Sequence, residues 1–146
     1  MELLELSPAD IESIQDLFLS VFAREPWNDD WSDGVQLRRY LIDLTGNPNS
    51  LTFAWAEGGE LIALAMGHVK HWYRGTEYLI DEFCVRTERQ GEGVGTRFLA
   101  QIEAYLRERG IRAIFLLTDR DVPAYAFYRR RGFEEQTTTV AFAKRV

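Results

Sequence analysis

A glycine-rich segment, Gln90-Gly91-Glu92-Gly93-Val94-Gly95, separates a predicted strand from a predicted amphipathic helix. The strand is the largely apolar run 78–85, and the helix begins near Val94 with apolar residues at helical spacing. Alternating glycines carry no Cβ, so a ligand can rest directly on the backbone. The start of the helix adds unpaired amides and the positive end of the peptide dipole. The segment therefore predicts a site for a phosphate-bearing ligand.

The length and composition predict one soluble domain spanning residues 1–146. A chain of 146 residues with 46% hydrophobic residues is long and apolar enough to bury a core. No apolar run approaches the roughly 20 residues of a membrane span, and no signal peptide is predicted. The single cysteine, Cys84, cannot form an internal disulfide, and no spacing of Cys and His predicts a metal site. We therefore expect a cytoplasmic protein without a metal or a membrane partner.

The net charge of −6 is unevenly distributed along the chain. Residues 1–34 contain nine acidic residues and one basic residue, Arg24, whereas the remaining residues are slightly basic. This balance argues against nucleic acid as a partner. The acidic segment 1–34 forms either a solvated surface or a surface for a cationic substrate.

The first half of the chain predicts a short strand, two helices and a hairpin. Ser7 and Pro8 indicate a helix start, and apolar residues at helical spacing follow until Pro26 ends the helix. A second helix is predicted from Ser32 or Asp33 to Gly46. Strand-like runs at 51–57 and 60–69 flank Gly58-Gly59, a two-residue hairpin signal.

The second half predicts strand 78–85, helix 94–109, a buried strand 113–118, a helix capped by Asp121 and one or two closing strands within 133–143. Adjacent residues on a regular strand face opposite sides, so only one of Asp81 and Glu82 should reach a given face unless a bulge intervenes. The order β-α-α-β-β-β-α-β-α-β indicates a single α/β domain, with a mixed central sheet and helices on both faces.

Other glycine-rich nucleotide loops do not fit the segment. A P-loop ends in Gly-Lys-Ser/Thr, whereas Gly95 is followed by Thr96 and Arg97. A dinucleotide-binding fold requires a third glycine at position 96 and usually places its loop near the start of the domain. The spaced glycines alone are a weak signal, and their surroundings decide between the alternatives.

Two separate motifs resemble the GNAT superfamily of N-acetyltransferases. The acetyl-CoA signature of that family, Gln/Arg-x-x-Gly-x-Gly/Ala after a strand that ends in valine, is matched by Gln90-x-x-Gly93-x-Gly95 after Val85. The second pattern, Asn-x-x-Ala-x-x-Phe-Tyr and then Gly-Phe, is matched by 121–128 and 132–133, with Asp121 in place of the asparagine. The resemblance implies a GNAT fold and acetyl-CoA as the co-substrate.

The resemblance also implies which residues hold the coenzyme. Backbone amides from Gln90 to Thr96 would bind the pyrophosphate, and the strand around Cys84 would pair with the pantetheine arm through Phe83 and Val85. Tyr128 would lie beside the sulfur. Arg89 or one of Arg129–Arg131 would meet the 3′-phosphate. The full set of predicted coenzyme contacts is Phe83, Cys84, Val85, Arg89, Gln90, Gly91, Glu92, Gly93, Val94, Gly95, Thr96, Asp121 and Tyr128.

An N-acetyltransferase must first deprotonate an amine, because alkylamines titrate near ~10. Glu82 is the favoured base, since its position before Val85 is often acidic in the family, and Asp81 is a close second. A structural ion pair at the sheet is the alternative role for either residue. Tyr128 is the candidate proton donor to the thiolate. Cys84 lies in an apolar strand, so we expect it to be an inert core thiol.

The predicted substrate surface lies in the loop 25–31, where Trp27, Asp29, Asp30 and Trp31 combine indoles with acids. These residues either join the two flanking helices or line a pocket for a cation. Trp72, in a turn at 70–74, is a candidate wall of the same pocket. His68 and His71 have no partner at a suitable sequence spacing and are expected at the tip of that hairpin. The expected function is acetylation of a small cationic amine, aminoglycoside-like or polyamine-like. Protein or peptide amines, and a non-catalytic acyl-CoA sensor, are the alternatives. A homodimer is the family default.

Overall fold

A computed structural model describes residues 1–146 as one mixed five-stranded sheet. The strands occur in the order of the sequence, and β1 to β4 are antiparallel neighbours while β5 runs parallel to β4. Their bounds are β1 Glu2–Leu6, β2 Ser50–Glu57, β3 Glu60–Trp72, β4 Gly75–Val85 and β5 Ala113–Leu116. The predicted mixed α/β sheet is therefore confirmed.

Four helices cover both faces of the sheet. They are α1 Ile11–Phe22, α2 Gly34–Thr45, α3 Val94–Glu108 and α4 Pro123–Arg130. The apolar stripes of α1 and α2 bury one face with Leu64, Met66 and Cys84, whereas the stripe of α3 buries the other face. The predicted start of α2 is confirmed, because the Asp33 side chain accepts hydrogen bonds from two amides of the first turn. None of the four helices is long and apolar enough to cross a bilayer.

A β-bulge interrupts β4 beside Gly67 of β3. Gly67 pairs with Ile80 and Met66 pairs with Glu82, so Asp81 is an extra residue in β4. The bulge reverses the alternation of the strand. Before it, Ile80 packs on the α3 face, whereas after it Phe83 packs on that face. Odd-numbered side chains after the bulge therefore face α3, whereas even-numbered ones do so before it.

Strands β4 and β5 separate after a short pairing. β5 pairs with β4 only from Glu77 to Ile80, so the five residues Asp81–Val85 have no neighbour on that side. The amide of Arg86 donates to the Ile62 carbonyl of β3. Because successive backbone groups of a strand alternate between its two edges, those of Val85 and Phe83 point to the open side. An open strip of backbone therefore lies along Asp81–Val85, on the side of β4 that β5 leaves unpaired.

Four expectations from the sequence are wrong. Residues 133–143 form no strand, and Phe142 in that segment is 95% exposed. β5 is an edge strand rather than a buried one, because no further strand covers it, and its Phe115 is exposed. Asp121 does not cap α4. Its N-cap is Val122, since the residue directly before Pro123 is held in an extended conformation. Helix α1 ends at Phe22, upstream of Pro26.

Candidate active site

The glycine segment forms a turn of free backbone amides at the start of α3. Gly91 and Gly93 have φ values of 81° and 76°, in the left-handed region that favours glycine. Gly93 is the N-cap of α3 and no side chain caps the helix. The amides of residues 91–96 donate to no acceptor in the chain. A Cβ at Gly91 or Gly93 would project into open space, so this surface of the turn is accessible to an anion.

The side chains beside this turn are already partly engaged. Arg89 is paired with Glu57 and, at 3.1 Å, with Glu92, and these carboxylates raise the pKa of its guanidinium. The Gln90 side-chain amide donates to the Val85 carbonyl over 3.0 Å, which ties the turn to the open end of β4. Gly95 has a packing role, since its Cβ position would lie 3.4 Å from Phe127. The structure thus joins the turn and the open strip of β4 into one continuous surface.

Glu82 lies half-buried on the face covered by α1 and α2. The Tyr40 hydroxyl of α2 donates to Glu82 Oε1 over 2.5 Å. Burial raises the pKa of Glu82, and the charges of Asp29 and Asp81 raise it further, whereas the hydrogen bond from Tyr40 lowers it. The net shift is upward, which brings this carboxylate closer to the pKa that a general base requires near neutral pH.

Asp81 lies on the same face as Glu82 because of the bulge. Asp81 Oδ2 lies 3.1 Å from Nδ1 of His68, and His68 shares its side of β3 with Met66. In a regular strand the two carboxylates would face opposite sides of the sheet. They face the same side here because β4 contains a bulge, which is the exception stated with the prediction. His71 Nδ1 lies 3.0 Å from Oγ1 of Thr76, and His68 likewise has a partner that its sequence spacing did not indicate. The partner of His68 lies 13 residues away in sequence, across the β3–β4 hairpin.

Tyr128 packs at the open side of β4. Its ring is 8% exposed and makes edge contacts with Phe83, Phe127 and Phe133 at centroid distances of 6.2, 5.4 and 5.3 Å. Its hydroxyl forms no hydrogen bond within the chain. Burial raises the pKa of the phenol, and the nearby Cys84 and Glu82 raise it further. The phenol is therefore protonated at neutral pH and is available as a donor.

The loop before α2 packs on the helices and also contributes charge. Trp31 stacks on Tyr40 at 5.2 Å and meets Phe18 at 5.6 Å, and Trp27 lies 5.6 Å from Phe22. Asp29 is close enough to raise the pKa of Glu82. The side chain of Asp30 instead accepts from the amide of Ser32. The indoles of the loop therefore pack on the helices, whereas a cation-binding role for the loop stays a prediction.

The comparisons with known proteins identify the family. A model of the acetyltransferase (GNAT) family matches residues 11–133. The chain belongs to the GNAT acetyltransferase family. It is 32% identical to the aminoglycoside N(6′)-acetyltransferase type 1 of Stenotrophomonas maltophilia, over 94% of this chain and 89% of that protein. It is 30% identical to the mycothiol acetyltransferase of Arthrobacter sp. (strain FB24), over 78% of this chain but only 32% of that protein.

Solved GNAT structures share the fold. An aminoglycoside acetyltransferase from an uncultured soil metagenomic sample, in complex with sisomicin, superposes with a TM-score of 0.75 at 23% identity, covering 99% of this chain and 95% of that chain. The enzyme AAC(6′)-Iy, bound to the bisubstrate analogue CoA-S-monomethyl-acetylneamine, superposes with a TM-score of 0.74 at 16% identity, covering 99% and 98%. The expected GNAT fold and N-acetyltransferase class are confirmed.

Two predicted site residues, Trp72 and Asp121, form no hydrogen bond with the residues of this surface, whereas Cys84 is buried within it. Trp72 is at the tip of the β3–β4 hairpin, six residues or roughly 20 Å along β3 from Met66, the partner of Glu82. Lys70 and Arg74 lie near its ring. Asp121 is exposed and its side chain forms no hydrogen bond in the chain. Cys84 is buried and its pKa is raised by burial, in keeping with an inert thiol. The roles of Trp72 and Asp121 stay predictions.

Sequence reasoning missed three residues of the GNAT site. Tyr40 and Gly67 were not singled out, and no partner for His68 was indicated by its sequence spacing. The one signal for Gly67 was a glycine inside a strand pattern, which often marks a bulge. The hydrogen bond between Tyr40 and Glu82 joins residues 42 apart in sequence, and no local pattern indicates it.

Proposed function

We propose that this GNAT enzyme transfers the acetyl group of acetyl-CoA directly to an amine of an aminoglycoside-like polycation. Glu82 is the general base in this proposal. The observation that carries it is the position of Glu82, a half-buried carboxylate with a raised pKa, next to the open strip of β4. The aminoglycoside acetyltransferase relative that the chain matches over most of its length supports the acceptor class.

The donor site uses backbone more than side chains. The amides of residues 91–96 would bind the pyrophosphate at the start of α3, where the helix dipole favours an anion. The open backbone groups of Phe83 and the amide of Val85 would pair with the pantetheine arm in the manner of an added strand, since the Val85 carbonyl already accepts from Gln90. Because Arg89 is paired with Glu57 and Glu92, we favour Arg130 or Arg131 for the 3′-phosphate. Both line a groove beside Thr96 and Leu99 of α3.

The acceptor site offers negative charge to a polycation. Glu82, Asp81 and Asp29 are the carboxylates of this surface, and Trp31 stands behind Tyr40. An ammonium group is attracted by the carboxylates, and its proton is removed by one of them. The excess of acids in residues 1–34 supports the same partner. A polyamine also carries several ammonium groups and fits the same carboxylates. A peptide N-terminus carries a single ammonium group and fits them less well.

The chemistry proceeds with a full balance of protons. Glu82 takes a proton from the bound ammonium, and the free amine attacks the thioester carbonyl. An amide near Phe83 would stabilise the oxyanion of the tetrahedral intermediate. Collapse of that intermediate breaks the carbon–sulfur bond, and the thiolate receives a proton from Tyr128. The nitrogen then loses a second proton to give the acetamide, and this proton restores the phenol of Tyr128. Glu82 gives its own proton to solvent, so each turnover releases one proton.

The test is an acceptor panel with acetyl-CoA, followed by the release of free thiol. We expect sisomicin to react with the highest kcat/KM, spermidine less well and an alanine-terminated peptide least. The highest value for the peptide would move the proposal to protein amines. Tight binding of acetyl-CoA without turnover on any amine would instead indicate a non-catalytic acyl-CoA sensor. A cytoplasmic location and a homodimer are further parts of the proposal, and light scattering checks the latter.

A further inference from the structure

We infer that Tyr40 is a positioning residue for Glu82, which fixes one oxygen of the carboxylate and leaves the other for the proton of the substrate. This inference rests on the proposed function, in which Glu82 is the base. It adds a residue of α2, far from both sequence motifs, to the machinery of acetyl transfer. It is based on the hydrogen bond from Tyr40 to Glu82 and on the aromatic rings that pack around Tyr40.

The Tyr40 hydroxyl is the one hydrogen-bond donor to the Glu82 carboxylate within the chain. It lies 2.5 Å from Oε1, a short distance of the kind found when a hydroxyl donates to an ionised carboxylate. Oε2 accepts no hydrogen bond from the protein. A carboxylate that is held through one oxygen keeps the lone pairs of the other for an incoming ammonium.

An aromatic cluster holds the Tyr40 ring in place. Trp31 stacks on it with an interplanar angle of 22° at 5.2 Å, and Phe18 of α1 lies 6.1 Å away. Three segments of the chain thus fix the direction of a single hydroxyl. The indole that sequence reasoning assigned either to packing or to substrate binding acts here on the base, through Tyr40.

The other groups around Glu82 do not replace Tyr40. Asp29 from the loop and Asp81 from β4 are carboxylates, and both raise the pKa of Glu82. His68 of β3 is engaged with Asp81. Cys84 of β4 is a buried neutral thiol, and Tyr128 of α4 forms no hydrogen bond with Glu82. Tyr40 is therefore the group that lowers the pKa of Glu82, whereas burial and the neighbouring carboxylates raise it.

The consequence is a defined pH dependence. A hydrogen bond to the charged form lowers the pKa of Glu82, so its removal raises that pKa further. The base is active when it is deprotonated, so activity falls as pH drops through its pKa. Loss of the Tyr40 hydroxyl therefore moves the acidic limb of kcat/KM to higher pH, and part of the lost activity returns in alkaline buffer.

The experiment compares Tyr40→Phe with Tyr105→Phe in the full chain, with acetyl-CoA and sisomicin as substrates. Tyr105 donates to Glu5 over 2.9 Å, so the control removes the same kind of bond from a carboxylate of β1. We expect the acidic limb of Tyr40→Phe to shift upward by about one pH unit, the effect of a hydrogen bond to a charged group. The profile of Tyr105→Phe should coincide with that of the wild type.

Two measurements separate the possible failures. If Glu82→Gln is inactive and the profile of Tyr40→Phe matches the wild type, the role of Tyr40 is overturned while the proposed base stands. Full activity of Glu82→Gln would overturn both. If Tyr40→Phe folds too poorly for kinetics, a carbon-13 titration of the glutamate carboxyls, with the Glu82 signal assigned from Glu82→Gln, is made on Trp31→Phe. An unchanged pKa of Glu82 there would contradict the fixed position of the hydroxyl.

Discussion

Asp81 and Glu82 are adjacent in the sequence, and their side chains lie on the same face of the sheet. The bulge at Asp81 makes this possible, because Glu82 pairs with Met66 while Ile80 pairs with Gly67. Without the extra residue, one of the two carboxylates would point toward α3. The acidic surface of the site is thus a product of strand register rather than of composition.

Gly67→Ala should disrupt this register. A Cβ at Gly67 would lie 2.3 Å from the Leu79 carbonyl oxygen and 2.7 Å from the Tyr78 ring, so backbone must move. We expect a loss of about 1–3 kcal/mol in the free energy of unfolding, typical of overpacking, together with lower kcat/KM. Gly34→Ala is the control, since its Cβ meets nothing within 4 Å. Urea unfolding that gives equal stability for both variants would contradict the role of Gly67.

Gly93→Ala should weaken the binding of acetyl-CoA. Gly93 has a φ of 76° in the turn before α3, and a methyl group there would project toward the predicted pyrophosphate. Gly58→Ala is a matched control, because Gly58 has a φ of 59° and equally open surroundings in the β2–β3 hairpin. Both variants carry a backbone strain of roughly 1–2 kcal/mol. Calorimetry should show at least a tenfold (about 1.4 kcal/mol) rise in Kd for Gly93→Ala alone.

Tyr128→Phe should lower kcat more than it raises KM. The variant keeps the ring contacts with Phe83 and Phe133 and removes the proton for the leaving thiolate. We expect a decrease in kcat of about 10- to 100-fold, at or below the low end of general acid catalysis, because a thiolate leaves readily. Tyr125→Phe, which loses a hydrogen bond to Glu135, controls for removal of a phenol from α4. Wild-type kcat in Tyr128→Phe would leave protonation of the thiolate to solvent.

Glu82→Gln should be more stable than the wild type at neutral pH. The folded-state pKa of Glu82 lies above its unfolded value, chiefly through burial, so ionisation of the folded protein costs stability once the pH exceeds the unfolded pKa. The cost is absent below the unfolded pKa and is fully present above the folded pKa. The Tm advantage of Glu82→Gln should therefore grow as the pH rises from 4 to 7. A Tm difference that stays constant across this range would show that folding does not raise the pKa of Glu82.

The features that the sequence predicted correctly are local ones. The glycine turn, the start of α2 at Asp33 and the β2–β3 hairpin each depend on residues a few positions apart. The contacts that complete the site depend on register and tertiary packing, and include the Tyr40–Glu82 hydrogen bond and the His68–Asp81 pair. The wrong closing strands at 133–143 have the same origin. A strand forms only where its segment reaches a sheet edge with which it can pair, and no local pattern decides this.

The pH dependence of kcat/KM for Glu82→Gln, with acetyl-CoA and sisomicin, tests the central claim most directly. If Glu82 removes the proton from the amine, the wild type should show an acidic limb set by a carboxyl pKa above the ordinary glutamate value. The variant should then be roughly 100-fold slower or more, with that limb absent. Glu82→Gln with wild-type kcat/KM and an unchanged acidic limb would contradict the account.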